Sequence, residues 1–229
     1  MKLSVVMPAY NESETIADAI KMVLDIDYGM DLEVLVVDDG STDNTLEIMK
    51  GISSKNKKVK SFSNVKNKGK GYSIRYGMEK ASGDFVVIQD ADLEYDPVQI
   101  RDLLKPLVEG QASVVYGSRF MGESKNQSML FYVGNKILNL CFNALFFTRL
   151  TDVETCYKLA SADVFRSLKL SSDGFEIEGE ISAKLVKNGH KILELPIKYF
   201  AREKEKKKIN VWDGVKTAAT MIKLRLNLL

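Results

Sequence analysis

The sequence predicts an α/β fold with a mostly parallel central sheet flanked by helices. Short apolar, β-rich runs alternate with longer helical patterns through the first half of the chain, and those runs are apolar throughout, as strands covered on both faces are. Polar clusters gather just after them, at 9–12, 38–43, 89–92 and 117–119. The carboxyl ends of the strands line the ligand crevice in an open α/β sheet, so these clusters mark the candidate site.

The elements follow in order. Residues 3–7 (LSVVM) read as a strand leading to a helix over 13–24, and 33–37 (EVLVV) precede a helix opening near Asp43. Residues 59–63 precede a helix over 70–80; strands at 85–89 (FVVIQ) and 113–116 flank a helix at 98–109. The second half breaks this rhythm. Residues 129–147 (MLFYVGNKILNLCFNALFF) are apolar, yet Asn135, Asn139 and Asn143 recur every fourth position and make one polar stripe on a helix. Lys136 lies in the same run, and the clean apolar stretch is shorter than the ~20 residues of a membrane span. The segment therefore reads as an interfacial or groove-forming helix, or as a buried helix whose asparagines bond inside the protein. After a connector at 151–158, helices are expected at 162–168 and 178–187, then a strand at 191–199 in which Pro196 favours a sheet edge. Residues 202–210 read as a basic loop. Residues 211–226, with Trp212, Val215, Ala219 and Ile222, form an amphipathic pattern suited to a bilayer surface or to docking on the core.

A chain of 229 residues buries an extended core without staples, and 45 % hydrophobic with 28 % charged residues excludes general disorder. Cys141 and Cys156 make neither a disulfide framework nor a metal-ligand spacing. The first ten residues run straight into a strand with no export signal, so a cytoplasmic location is expected. A net charge of +2 hides an asymmetry: residues 184–225 hold 12 Lys or Arg against 4 Asp or Glu, a local balance of +8 that leaves −6 for the remainder. Such a segment can meet phosphate groups or an anionic leaflet. Nucleic acid is not the expected partner, because aromatics are not interleaved with the basic patch and the acidic crevice would repel a polynucleotide.

Three motifs carry chemistry. Asp90-Ala91-Asp92 follows a central-looking strand, where a tight turn lets both carboxylates reach one ion. Two carboxylates are too few for a closed cage but suit Mg²⁺ or Mn²⁺ shared with a diphosphate, and Glu94 stands two residues on as a third oxygen donor. In the run 38–43 (DDGSTD), Gly40 permits a sharp turn, Asp43 or Ser41 caps the next helix, and Asp39 is placed to meet a base or ribose. In 67–71 (NKGKG), the glycines let the backbone approach phosphate, with a lysine or exposed amides to offset its charge. Neither GxxxxGK[ST] nor GxGxxG is present, which removes the usual signatures of ATPases and dinucleotide enzymes.

The stretches VVMPAYNE (5–12), VVDDGSTD (36–43), NKGKG (67–71), GDFVVIQDADLEYDP (83–97), VVYGSRF (114–120), TDVETCYK (151–158) and FEIEGEISAKL (175–185) together resemble the family 2 glycosyltransferases of GT-A fold. Within that family they are most similar to the dolichyl-phosphate mannose synthase and polyprenyl-phosphate glucosyltransferase branch. The resemblance covers almost the whole chain. It implies one GT-A domain over 1–229, with 1–120 the nucleotide-sugar-binding half and 121–229 the acceptor-binding half. It also implies that Pro8, Tyr10, Glu12 and Asp39 form the base and ribose pocket, with Lys70 on the donor. Asp90, Asp92 and Glu94 are then the metal–diphosphate set, with Asp92 catalytic, and Arg119 approaches the donor or acceptor phosphate. Arg202 and a lysine such as Lys208 resemble a basic element that closes on bound phosphates, although EKEKKK here replaces a more glycine-containing stretch.

The implied reaction is inverting transfer of a hexose from a nucleotide-sugar donor, UDP-glucose or GDP-mannose with a lean to UDP, onto a polyprenyl-phosphate acceptor. A lipid phosphate is already ionised near neutral pH (second pKa roughly 6) and needs no base, in keeping with a chain whose single histidine, His190, falls in a turn. The expected location is the cytosolic face of a membrane, as a peripheral protein, with the same surface open to a membrane-protein partner. The alternative is transfer to a sugar hydroxyl in glycan or surface-polysaccharide assembly, with Asp152 or Glu154 as base.

Overall fold

The computed structural model describes residues 1–126, 128–201 and 210–228. The chain opens with β1 (Lys2–Ala9), α1 (Ile16–Leu24), β2 (Asp31–Asp38), α2 (Thr45–Ser53), β3 (Val59–Ser63), α3 (Lys70–Lys80) and β4 (Phe85–Ile88). A 3₁₀ turn at Pro97–Gln99 leads into α4 (Ile100–Val108) and β5 (Val114–Ser118). Then come β6 (Ser124–Lys125), α5 (Met129–Phe146), β7 (Lys158–Ser161), α6 (Ala162–Ser167), α7 (Ile177–Lys187), β8 (Ile192–Pro196), β9 (Tyr199–Phe200) and α8 (Val211–Arg225).

Seven strands form one sheet in the order β3-β2-β1-β4-β7-β5-β8, and β6 pairs with β9 separately. The first four strands are parallel, as their unbroken apolar runs require: Val5, Val6, Val34, Val36, Val87 and Ile88 are all fully buried between helical layers. β8 lies at the sheet edge and ends on Pro196, whose missing N–H is tolerated there.

One strand departs from the expectation. The connector predicted at 151–158 ends in β7, which inserts between β4 and β5 and runs antiparallel to both. Its first residue, Lys158, is fully buried, and no alternation pattern announces a strand that opens on a charge. The charge is accommodated by Glu178 of α7, whose Oε2 accepts from Lys158 Nζ at 2.5 Å, and by the Thr155 carbonyl at 2.6 Å. Because β7 is reversed, its N-terminal end reaches the rim where β4 ends, and residues preceding the strand join the crevice.

A second, smaller core joins α5, α7 and α8 through Phe142, Phe146, Val153, Ala183, Met221 and Leu224. The asparagine stripe of α5 turns inward. Asn139 Oδ1 accepts from Val153 N at 2.9 Å, and Asn143 bonds both the N–H and the carbonyl of Leu150 at 2.8 Å. The opposite face is apolar and exposed, including Leu130, Ile137 and Leu140, the last at 70 %. α5 thus combines the two readings of its sequence: its asparagines bond inside the protein while its hydrocarbon faces out. α8 begins with a reciprocal cap, Asn210 Oδ1 accepting from Trp212 N and Asp213 Oδ2 from Asn210 N, and leaves Val211, Trp212, Val215 and Ile222 exposed beside α5.

Candidate active site

A cavity of about 350 Å³ opens at the carboxyl ends of β1, β2 and β4. The turn after β1 brings Pro8, Tyr10 and Glu12, that after β2 brings Asp39, and the start of α3 brings Lys70. Asp90, Asp92 and Glu94 follow β4, Arg119 follows β5, and Glu154 and Cys156 come from the segment before β7. Phe131 and Asn135 of α5, Glu178 of α7 and Tyr199 of β9 close the far side. Pro8, Tyr10, Glu12, Asp39, Lys70, Asp90, Asp92, Glu94 and Arg119, all nominated from the sequence, therefore border one space, whereas Asp152, the other base candidate beside Glu154, does not. Arg202 and Lys208 lie outside the described residues.

The loops after β1 and β2 are tied to each other. Asn11 adopts φ +49°, a left-handed conformation that asparagine tolerates, and its Oδ1 accepts from Thr42 N at 2.8 Å while its own N–H donates to Ser41 Oγ at 2.9 Å. Asp43 caps the start of α2, accepting from Thr45 N at 3.0 Å and from Ser13 N at 3.1 Å. Burial would raise the Asp43 carboxyl, but the bonds from Thr45 and Ser13 outweigh it and hold it at about 2.

Asp39 is buried with both oxygens engaged. Oδ1 accepts from Asn64 Nδ2 at 2.8 Å and Lys68 N at 3.0 Å, and Oδ2 from Gly69 N at 2.8 Å. The Asp39 carboxylate therefore already takes amides that the NKGKG reading offered to phosphate. The glycines also have a close neighbour within the protein. Gly69 stands at φ +104°, and a Cβ there would lie 2.3 Å from the Asp173 carbonyl; one on Gly71 would lie 2.5 Å from that of Ser172. They admit the 172–174 loop, while Asn67, Gly69 and Lys70 also border the cavity.

Lys70 Nζ sits 2.8 and 3.0 Å from the two Asp90 oxygens and 3.1 Å from Glu178 Oε1. Burial acts to lower its ammonium, but Asp90 and Glu178 outweigh that and hold it charged, well above the usual lysine range. The DAD motif leads into a tight turn, as expected from the sequence: Leu93 takes φ +62°, a strained setting for a branched side chain, and Asp92 Oδ1 accepts from Glu94 N at 3.2 Å. Glu94 Oε2 accepts from Tyr199 OH at 2.5 Å. Among the described residues no three His, Cys, Asp or Glu side chains are gathered as a ready metal cage. The hard-oxygen pair Asp90 and Asp92, open to a cavity large enough for a diphosphate, still fits a Mg²⁺ or Mn²⁺ that shares its coordination with a ligand. Lys70 holds the compensating positive charge at Asp90.

The β7–β5 side of the cavity is built on a buried pair. Arg119 Nε and Nη2 donate to the two Asp152 oxygens, each at 2.7 Å, and Arg119 N donates to Oδ2 at 2.9 Å. Asp152 has no exposure and is committed to this fork, which removes it as a base; Glu154 stands differently. Glu154 is half-buried, borders the cavity, and its Oε1 meets no hydrogen-bond donor among the described residues. Burial pushes its carboxyl up to about 7, with Lys158 and Arg119 pulling down and Glu178 and Asp152 pushing up. The thiol of Cys156 is raised well above its ordinary value, chiefly by burial, so it stays protonated. Glu178, flanked by Lys70 and Lys158, was not singled out from the sequence; its only signal was an acidic residue on the buried face of a helix.

Residues 4–167 match the family described as Glycosyl transferase family 2. The chain belongs to that family. It is 33 % identical over 200 residues to "Glycosyltransferase AglJ" of Haloferax volcanii, covering 86 % of this chain and 63 % of that protein. It is 29 % identical over 216 residues to the dolichol-phosphate mannosyltransferase of Pyrococcus furiosus, covering 91 % of this chain and 59 % of that one. The chain thus spans somewhat under two thirds of the length of these relatives. The fold matches that of glucosyl-3-phosphoglycerate synthase from Mycobacterium tuberculosis, solved with Mn²⁺, UDP-glucose and phosphoglyceric acid. That match has a TM-score of 0.76 and 21 % identity, and covers 98 % of this chain and 79 % of the synthase. The GT-A architecture expected from the sequence is therefore the one observed.

Proposed function

We propose that this family 2 chain transfers a hexose from a nucleoside diphosphate sugar to a hydroxyl acceptor, with a divalent cation held by Asp90 and Asp92. One observation carries the reading: the carboxylates after β4, Asp39 after β2 and the Lys70 ammonium border a single cavity at the C-terminal rim of a parallel sheet. The sheet order gives the ligand a direction. Asp39 belongs to the β2 side of β4, where a base and ribose would lie among Pro8, Tyr10 and Glu12; Arg119 and Glu154 belong to the β7–β5 side. When bound, the cation supplies neutralisation of the leaving diphosphate. Lys70 adds a second positive charge beside it, and Glu94, held by Tyr199, fixes the turn that aims Asp92.

The acceptor reading follows from charge. Glu12, Asp39, Asp90, Asp92, Glu94, Glu154 and Glu178 line the cavity against Lys70 and Arg119, and Arg119 is already neutralised by Asp152. A neutral hydroxyl enters such a space at lower electrostatic cost than a dianionic phosphate. A second reading, polyprenyl phosphate as acceptor, draws on the exposed apolar faces of α5 and α8 and the basic sequence 202–208. The second reading expects the protein at a membrane surface, and the first extends there when the glycan acceptor is lipid-borne.

The test is incubation of the full chain with Mn²⁺ and radiolabelled nucleotide sugars, offering sugar hydroxyl acceptors and a short polyprenyl phosphate in parallel. Label entering a glycoside of inverted anomeric configuration is expected. Label entering only an acid-labile lipid phosphate would favour the second reading, and failure to bind or turn over any nucleotide sugar would refute both.

A further inference from the structure

Resting on the hydroxyl-acceptor reading above, we propose that Glu154 is the catalytic base that deprotonates the acceptor. The sheet order puts it on the opposite side of the Asp90–Asp92 turn from Asp39, on the segment that enters the rim just before β7. Phe131 and Asn135 of α5 border the same cavity, an aromatic side chain and an amide of the kind that receives a sugar ring. A nucleotide on the β1–β2 side would direct its sugar toward β4, and an acceptor reaching that sugar from the α5 side passes Glu154.

The neighbouring carboxylates are committed elsewhere. Asp39 accepts from Lys68 and Gly69 amides, Asp90 from Lys70, Glu94 from Tyr199, Asp152 from Arg119, and Glu178 from Lys158. Glu154 has one oxygen, Oε1, shut from water with no donor among the described residues, and its remaining surface opens on the cavity. A carboxylate whose charge is so poorly supported gains from taking a proton. The charged and titratable groups that act on it are Lys158 of β7, Glu178 of α7, Arg119 after β5, Asp152 of its own segment and Tyr116 of β5. The cations and carboxylates among them oppose each other, so burial decides, and the proton affinity settles near neutrality, where a general base is most effective.

The step balances within the site. The acceptor oxygen forms a bond to the anomeric carbon as its proton passes to the Glu154 carboxylate. The bond from that carbon to the diphosphate breaks, and its electron pair leaves with the nucleoside diphosphate. Glu154 then returns the proton to solvent.

The experiment compares wild type, Glu154→Gln and Glu154→Asp with Mn²⁺ and the nucleotide sugar, following transfer to a sugar hydroxyl and slow hydrolysis with water as acceptor. Donor affinity is measured in parallel by calorimetry, and circular dichroism checks the fold. Glu154→Gln is expected to lower kcat by about 10²–10⁴-fold while donor Kd changes less than about twofold, and Glu154→Asp to recover part of the rate. In wild type log(kcat/KM) falls with unit slope below about pH 7, and in Glu154→Gln that limb is lost. A Glu154→Gln enzyme within threefold of wild type, or one with an unchanged acid limb, overturns the assignment while leaving the hexosyltransferase reading in place. Efficient transfer to polyprenyl phosphate that ignores Glu154→Gln does the same. A wild-type chain that binds no nucleotide sugar would instead bring down the functional reading itself.

Discussion

Asp152→Ala strands a buried guanidinium. The side chains of Arg119 and Asp152 are 8 % and 0 % exposed, and the pair is joined by two contacts of 2.7 Å plus a backbone bond of 2.9 Å. Solvent cannot replace the lost carboxylate at that depth, and removing one partner of a buried pair costs about 3–5 kcal/mol. In a chain of this size each kcal/mol lowers Tm by about 2–4 °C, so the variant is expected to melt roughly 6–20 °C below wild type. Asp152→Asn keeps the shape and one carbonyl acceptor without the negative charge, and falls between. Replacing both partners, Arg119→Met with Asp152→Leu, leaves no buried charge and should regain much of the loss. Circular dichroism melts at a fixed scan rate, with urea midpoints as a second measure, decide the matter. An Asp152→Ala Tm within about 2 °C of wild type, or a double variant less stable than Asp152→Ala, would refute the claim that this fork holds the acceptor side together.

Four further outcomes follow from the same geometry. Lys70 and a divalent cation compete for Asp90, so Lys70→Met should tighten Mn²⁺ binding in the absence of nucleotide by about tenfold, read by electron paramagnetic resonance, whereas Asp92→Asn should abolish metal-dependent transfer without unfolding the chain. Unchanged affinity in the first, or retained activity in the second, counts against the metal site. Glu154 binds its proton more tightly folded, at about 7 against an ordinary 4.5, so its contribution to stability is complete below pH 4.5 and gone once pH has risen through 7. Glu154→Gln should therefore match wild type at pH 4.5 and exceed it by roughly 3 kcal/mol at pH 8, and equal melts at both pH values would contradict the burial argument. Finally, Leu130→Ser, Ile137→Ser and Leu140→Ser together should cut co-sedimentation with anionic vesicles by about tenfold or more while leaving Tm unchanged, because those side chains face out from α5; vesicle binding that survives would place the lipid contact elsewhere.

Local pattern was enough to read the elements of the first half of the chain. Apolar runs such as FVVIQ and EVLVV become β4 and β2 within a few residues of the expected ends, and the DADLE run is the tight turn its chemistry called for, with Leu93 at φ +62°. The stripe of Asn135, Asn139 and Asn143 likewise predicted a two-faced helix. What failed depended on distant partners. β7 was hidden because its opening lysine is neutralised by Glu178, twenty positions away. The packing demand on the glycines of NKGKG went unseen because their tight neighbour, the 172–174 loop, lies about a hundred residues on. Asp152 and Glu154 read as interchangeable in TDVETCYK, and only the position of Arg119 separates them.

The reversed direction of β7 has an outcome for how such a protein can change. Donor-side groups hang from turns that follow parallel strands and are cross-braced by Asn11, Asp39 and Asp43. The segment carrying Asp152 and Glu154 arrives from the opposite direction, braced by Asn139 and Glu194 instead. Two separately anchored pieces of chain thus meet at one reaction centre. On the proposed function, substitutions in one retune what receives the sugar while the grip on the activated nucleotide stays intact, and that modularity is written into a single inverted strand.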